Sequence, residues 1–336
     1  MLNKQSAAPA DPRARQSGSF LRRHSDIMTL SLVLVAVFLL MVLLNPGQFL
    51  RSNNFESMAF QLPELGILAL AMAVAMLSGG INLSIVAAAN FVGILMALVM
   101  TRIPGMNPEL LIAAAISVGL FASLMIGVLN GVIISCLDVS PILATLGSSL
   151  LIDGASLLIT KGYVISGYPE AFMDIGNGYL WGIPFPLFIL AFCIAAVSLF
   201  LARTVSGQNI YLLGSNATAA RFSGISAKAT LVKTYALSGL LCGIAAVIMI
   251  SRFNSASQGY STSYVLITVL LAVLGGFNPD GGSGKVFGLV LALVILQIVS
   301  SGLNIFGLSS YVTLIIWGAI LLLVMGVRAL SAKFGK

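Results

Sequence analysis

The chain has 336 residues, of which 59% are hydrophobic and 8% charged, with a mean hydropathy of +1.06. Soluble domains carry about 45–50% apolar residues, so this composition excludes a soluble globular protein and describes one built into a bilayer. The net charge of +7 reflects where the basic residues lie about the membrane and gives no reason to invoke nucleic acid.

A spanning helix needs about 20 mainly apolar residues, because hydrocarbon offers no water to satisfy backbone groups. The length therefore accommodates about ten spans with short connections and leaves no room for a separate soluble domain. Residues 1–26 form a polar tail carrying Lys4, Arg13, Arg15, Arg22 and Arg23. The apolar run 27–44 exceeds the core of a signal peptide, about 7–15 residues, and lacks a small-residue cleavage site. It reads as a retained first span. Further spans are predicted at 58–78, 83–101, 109–137, 141–160, 184–203, 229–251, 258–276, 285–303 and 310–328. The expected fold is an all-α polytopic bundle: a tail over 1–26, one membrane domain over 27–328, and a second tail over 329–336.

An even number of spans places both termini on one side, and basic residues decide which. With the N-terminus cytoplasmic, Arg51, Arg102, Lys161 and Arg252 lie outside and the other thirteen of the 17 lysines and arginines lie inside. Both termini are therefore expected in the cytoplasm. The longest outer connection, 161–183, reads "KGYVISGYPEAFMDIGNGYLWGI". It is long for a simple link and reads either as a lid or docking surface, or as an ordinary loop.

Reactive chemistry is sparse. Cys136, Cys193 and Cys242 fall in or beside apolar runs without metal-ligand spacing, and His24 is the single histidine, so no disulfide framework, zinc site or histidine proton relay is expected. The segment "GGFNPDGGSGK", 275–285, departs from a phosphate-binding loop at Pro279 and Val286 and reads as a tight turn between helices. Likewise "SGGINLS", 78–84, reads as a turn or as a broken helix bordering a pathway. No catalytic or metal site is predicted. Asp153 reads as the one acid deep in a span, or as a residue near the outer surface.

Polar residues within spans must face the bundle interior, a cavity or a partner. They are mostly amides and hydroxyls, which suit a neutral, hydroxyl-rich solute better than an ion. Asn82, Ser84, Asn90, Asn254 and Asn304 are the candidate pathway residues. Between predicted spans, the connection 204–228 contains "GSNATAARFSGI". Ser215 and Asn216 can cap a helix, the alanines favour one, and Gly224 can end it. A helix this short is unstable alone in water. Poor in basic residues, it would make a weak membrane anchor, so docking against another protein is the favoured role.

Here the residues carry a family resemblance. "GGINLS" at 79–84, "GQNIYLLGSNATAARFSGI" at 207–225, "SGLLCGIAAVIMISRFNSA" at 238–256, "GGFNPDGGSGKVFG" at 275–288 and "GLNIFGLSSY" at 302–311 occur in order over most of the chain. They resemble the permease subunits of bacterial ATP-binding cassette sugar importers, the ribose-type branch that includes autoinducer-2 permeases. The resemblance implies an inner-membrane transport subunit with no ATPase site of its own. It also implies cytoplasmic ATPase partners that use ATP and Mg, a second permease copy or paralogue, and a periplasmic sugar-binding protein. The alanine-rich segment would be the coupling helix, with Ala219, Ala220, Arg221, Phe222, Ser223 and Gly224 contacting the ATPase. A pentose or hexose is the expected solute, with a sugar alcohol or autoinducer-2 as alternatives, and no cofactor is expected on this chain. The chain departs from the family at Asn82, usually Asp, at Val86, usually Gly, and at Val265 and Ile267, which replace two acids after Tyr264. Pairing with a different permease that keeps those acids is one reading of their loss, and dispensability is the other. An ion-driven secondary transporter is the competing class, disfavoured by the scarcity of intramembrane acids.

Overall fold

The computed structural model describes residues 12–103, 105 and 107–334; Lys4 and Lys336 of the charge argument lie outside them. In chain order come the helices α1 (Pro12–Leu44), α2 (Pro46–Phe49), α3 (Ser52–Leu77), α4 (Ile85–Arg102), α5 (Pro108–Cys136) and α6 (Pro141–Thr160). A compact cap follows: strand β1 (Ile165–Ser166), helix α7 (Glu170–Asn177) and strands β2 (Tyr179–Leu180) and β3 (Ile183–Pro184). Then come α8 (Phe185–Arg203), α9 (Val205–Ser215), α10 (Ala217–Phe222), α11 (Ala227–Phe253), β4 (Ser255–Ala256), α12 (Tyr264–Leu274), α13 (Val286–Ile305) and α14 (Ser310–Phe334).

Among the described residues, eight helices are long and apolar enough to cross a bilayer: α1 through its Ile27–Leu44 part, then α3, α4, α5, α6, α8, α11 and α13. The apolar helix α12 (Tyr264–Leu274) and the described apolar part of α14, Tyr311–Val324, are shorter. Proline sets several starts. Pro108, Pro141 and Pro186 stand in first turns, where a missing N–H leaves no bond unmade, and Asn107 caps α5 by accepting from the Glu109 amide at 3.0 Å.

The centre of the bundle is α3, buried without interruption from Pro63 to Leu77, which identifies a helix with neighbours on every side. It packs against α8, α11, α12 and α13. The tightest pairing is α5 with α11. A methyl group at Gly131 would stand 2.7 Å from Val232 Cα, and one at Gly239 would stand 2.8 Å from Gly127 Cα. Without side chains at these places the two backbones approach closely, the packing that small residues at helical spacing permit in membranes.

The expected span 258–276 takes a different form. Asn254 turns left-handed with φ 48° and ends α11, β4 pairs with β1, and helix resumes only at Tyr264. Eleven residues of α12 rise about 16 Å, half of a hydrocarbon core of about 30 Å. The irregular stretch is polar, with Gln258, Ser261, Thr262 and Ser263, and its Gln258 and Tyr260 carbonyls accept from Asn90 while that of Ser261 accepts from the Tyr264 amide. Such a segment is stable at depth only where its backbone groups find partners.

The connection 161–183 is a packed cap. Ser251 Oγ accepts from the Gly176 amide at 2.7 Å and donates to the Phe172 carbonyl at 2.6 Å, while Phe172 itself is fully buried. Its strand β2 is tied to α3 by the bond that Tyr179 donates to Glu56.

Candidate functional site

Three glycine-rich breaks, far apart in sequence, meet at one end of the bundle. The Gly282 amide donates to the Leu77 carbonyl at 2.9 Å, joining the α12–α13 turn to the end of α3. A methyl group on Gly281 would lie 2.6 Å from the Gly79 nitrogen and 3.0 Å from Gly214 Cα, and one on Gly214 would lie 2.5 Å from the Gly282 nitrogen. Gly79, Gly281 and Gly282 also hold positive φ, which glycine alone adopts without strain. The turns at 78–84 and 275–285 therefore form one rigid base with the end of α9.

From that base the chain runs directly into α10. Asn216 accepts from the Ala219 amide at 2.9 Å, Ser223 Oγ donates to the Ala219 carbonyl at 3.0 Å, and Gly224 turns left-handed at φ 80°. Ser215 takes another role, donating to the Leu212 carbonyl within α9. Ala220 is buried against the bundle, whereas Ala219, Arg221, Ser223 and Gly224 are exposed and Phe222 is 90% exposed. Shallow depressions flank the helix, one bordered by Arg221, Gly224, Lys228 and Asp138, another by Ala217, Leu213 and Ser78. The Phe222 ring thus stands in the open on a six-residue helix.

Behind this end lies a buried polar knot. Asn82 donates to Ser238 Oγ at 3.0 Å and accepts from Ser84 Oγ at 2.7 Å; Asn130 donates to Ser84 Oγ at 2.9 Å; Ser238 donates to the Ala71 carbonyl at 2.9 Å. Thr145 receives the Leu83 amide and donates to carbonyls of Ile81 and Pro141. With Asn82 and Ser84 at 2% and 1% exposure, this network fastens the 78–84 turn to α3, α5, α6 and α11. The amide of Asn82 uses its donor and its acceptor together, which a carboxylate cannot do. At the other departures from the family pattern, Val86 and Ile267 are buried in the apolar core and Val265 packs against it.

Asn90 and Asn254 belong to the opposite half. Asn90 donates to the carbonyls of Gln258 at 2.7 Å and Tyr260 at 2.9 Å, holding the irregular segment, while its buried Oδ1 has no partner among the described residues. Asn254 accepts the Tyr168 amide at 3.2 Å. Asn304 stands apart from all four, exposed near the end of α13 and bordering a cavity with α3. The five predicted pathway residues thus occupy three separate places.

Sequence reading missed Glu64. It lies in α3 at 1% exposure, whereas Asp153, read either as a deep acid or as a residue near the outer surface, is half-buried in α6. Glu64 Oε1 pairs with Arg252 at 3.5 Å and accepts from the Tyr264 hydroxyl at 2.9 Å. Arg252 also donates to the Phe60 carbonyl at 2.9 Å and lies over the Phe253 ring. Glu64 Oε2 is buried without a partner among the described residues. The available signal was a Pro-Glu pair inside an otherwise apolar run, with a lone arginine closing another span.

Comparison with known proteins agrees with this architecture. Residues 54–325 match the family described as branched-chain amino acid transport system / permease component. The autoinducer 2 import system permease protein LsrD of Photorhabdus temperata is 32% identical over 320 residues, covering 92% of this chain and 93% of the relative. Its counterpart in Yersinia enterocolitica is 33% identical over 273 residues, covering 80% and 81%. No solved structure matches. The chain is a multi-pass integral membrane protein, a transport component by family, and it belongs to the permease subunits of ATP-binding cassette importers.

Proposed function

We propose that this permease carries a neutral, hydroxyl-rich solute of the sugar type across the bacterial inner membrane, with both termini cytoplasmic and ten segments entering the bilayer. Two ATPases bind at the cytoplasmic end and a periplasmic binding protein delivers solute at the other. The relatives named for autoinducer 2 import support a small polyoxygenated solute, with a pentose or hexose in the same chemical class. The observation that carries the reading is α10: a capped six-residue element, standing on two glycine turns interlocked with the end of α9, that projects Phe222 away from the bundle.

The mechanism follows from that base. Closure of the ATPases would displace α10, and the contacts of Gly214, Gly281 and Gly79 would pass the displacement to α3 and α13 with little slack, because close-packed backbones deform poorly. ATP binding then biases access through differential affinity for the two states. The test is Phe222→Asp, which places a charge in an apolar socket. Uptake of ribose or autoinducer 2, whichever the unmodified complex carries, is expected to vanish while the chain still inserts. Transport at the unmodified rate would refute the coupling role.

A further inference from the structure

At the end of the bundle opposite α10, two antiparallel helices present matching polar ladders. On α3, Asn54, Ser57 and Gln61 lie at i, i+3 and i+7 on one face. On α13, Gln297, Ser300 with Ser301, and Asn304 repeat that spacing in the reverse direction. Two rungs are closed: Ser301 Oγ donates to Asn54 Oδ1 at 2.5 Å, and Gln297 Nε2 donates to Gln61 Oε1 at 3.1 Å.

Around these rungs lies a cavity of about 270 Å³ bordered by Asn54, Ser57, Gln61, Ser300, Ser301 and Asn304, with Met58 and Ile305 as its apolar edges and no charged side chain. Among the described residues, the side chains of Ser57, Ser300 and Asn304 make no hydrogen bond. With the span read at 58–78, Asn54 and Ser57 stand at the outer edge of the hydrocarbon and Gln61 about 5 Å inside it. Polar groups over that depth, facing acyl chains, would lose their hydration without replacement. The seam therefore faces water, a hydroxylated ligand or another protein.

We propose that this seam is the outer half of the solute path, a subsite for a neutral, hydroxyl-rich small molecule. Amides and hydroxyls both donate and accept, so they can exchange bonds with a succession of solute hydroxyls. The absence of charge from the lining disfavours ions and amino acids. Met58 and Ile305 offer apolar edges to the C–H face of such a molecule, and the volume falls just below the range of about 300–1,000 Å³ found for ligand sites, as befits a small solute in transit. This assignment rests on the importer reading and adds to it a location and a set of residues.

The test uses the assembled transporter in proteoliposomes, in a Cys136→Ser background, since Cys193 and Cys242 are buried. Ser57→Cys and Asn304→Cys are treated from outside with a membrane-impermeant methanethiosulfonate. Both are expected to react and to lose at least tenfold in uptake of ribose or autoinducer 2, while ATP hydrolysis continues. Phe121→Cys, at a large exposed apolar position on α5, is the control expected to stay unreactive. Asn304→Leu is expected to raise KM for uptake or reduce its rate without changing subunit stoichiometry. Cysteines that react with no effect on uptake would overturn the proposal. So would cysteines that stay silent and instead cross-link to a second permease on oxidation, marking the seam as a subunit interface. Failure of the importer reading itself would show differently, as ATP-independent uptake by the unmodified chain with no ATPase bound.

Discussion

Removing the buried carboxylate of α3 tests the packing of the outer half most sharply. At 3.5 Å, the separation of Glu64 and Arg252, two unit charges attract by about 5 kcal/mol at an effective dielectric constant of about 20. Desolvation of a carboxylate that is 1% exposed offsets much of that, so the intact pair contributes little net stability. Deleting one partner is another matter. Glu64→Leu leaves Arg252, 18% exposed, with only the Phe60 carbonyl and the Phe253 ring, and strips Tyr264 of its acceptor. Breaking such a pair costs about 3–5 kcal/mol, which corresponds to a fall in melting temperature on the order of 10 °C at about 2–4 °C per kcal/mol. The double variant Glu64→Leu/Arg252→Leu has no stranded charge and is expected to recover most of the loss. The assay is thermal unfolding of the purified chain in mild detergent for the two variants and their parent. A double variant no more stable than Glu64→Leu, or a Glu64→Leu that melts within about a degree of the parent, would show that the charge pair is not what organises this region.

Other predictions follow from single contacts. Asn82→Asp removes the donor to Ser238 and buries a charge in the knot, so a loss of about 1–3 kcal/mol or more is expected; unchanged thermal stability would mean the knot is not closed as described. Gly214→Val drives a side chain into the backbones of Leu77 and Gly282, and overpacking of about 1–3 kcal/mol should lower stability and uncouple ATP hydrolysis from uptake, whereas retained coupling would argue against a rigid base. The bond from Tyr179 to Glu56 holds that phenol above the ordinary tyrosine range. Its contribution is present below the unfolded value of about 10 and is lost as pH rises through the higher folded value. The difference titration against Tyr179→Phe should therefore move down in Glu56→Gln, and an unmoved midpoint would exclude the bond.

Much of the architecture was legible because hydrocarbon imposes a length. The span read at 141–160 coincides with α6, and that at 184–203 begins one residue before α8. The same rule failed over 258–276, where apolar content from Tyr264 onward masked a polar stretch whose Gln258 and Tyr260 carbonyls accept from Asn90. Local chemistry announced α10, since Asn216 and Gly224 act where their types predict. Nothing local announced that Gly79, Gly214 and Gly281 touch, or that Glu64 meets an arginine 188 positions later, because both depend on how helices pack. Of the residues proposed for the pathway, Asn304 gained neighbours only when α3 and α13 were brought side by side; Asn54, Ser57 and Gln61 precede or open a predicted span and carried no signal of their own.

If α10 is the point through which ATPase motion enters this subunit, Phe222 meets an ATPase in the native membrane. The most direct measurement replaces Phe222 with a photo-cross-linking amino acid, irradiates native membranes, and identifies the adduct by mass spectrometry with and without ATP. A single adduct with a cassette ATPase is expected, its yield changing with nucleotide. Adducts with lipid alone, in membranes where uptake of the solute still proceeds, would contradict it.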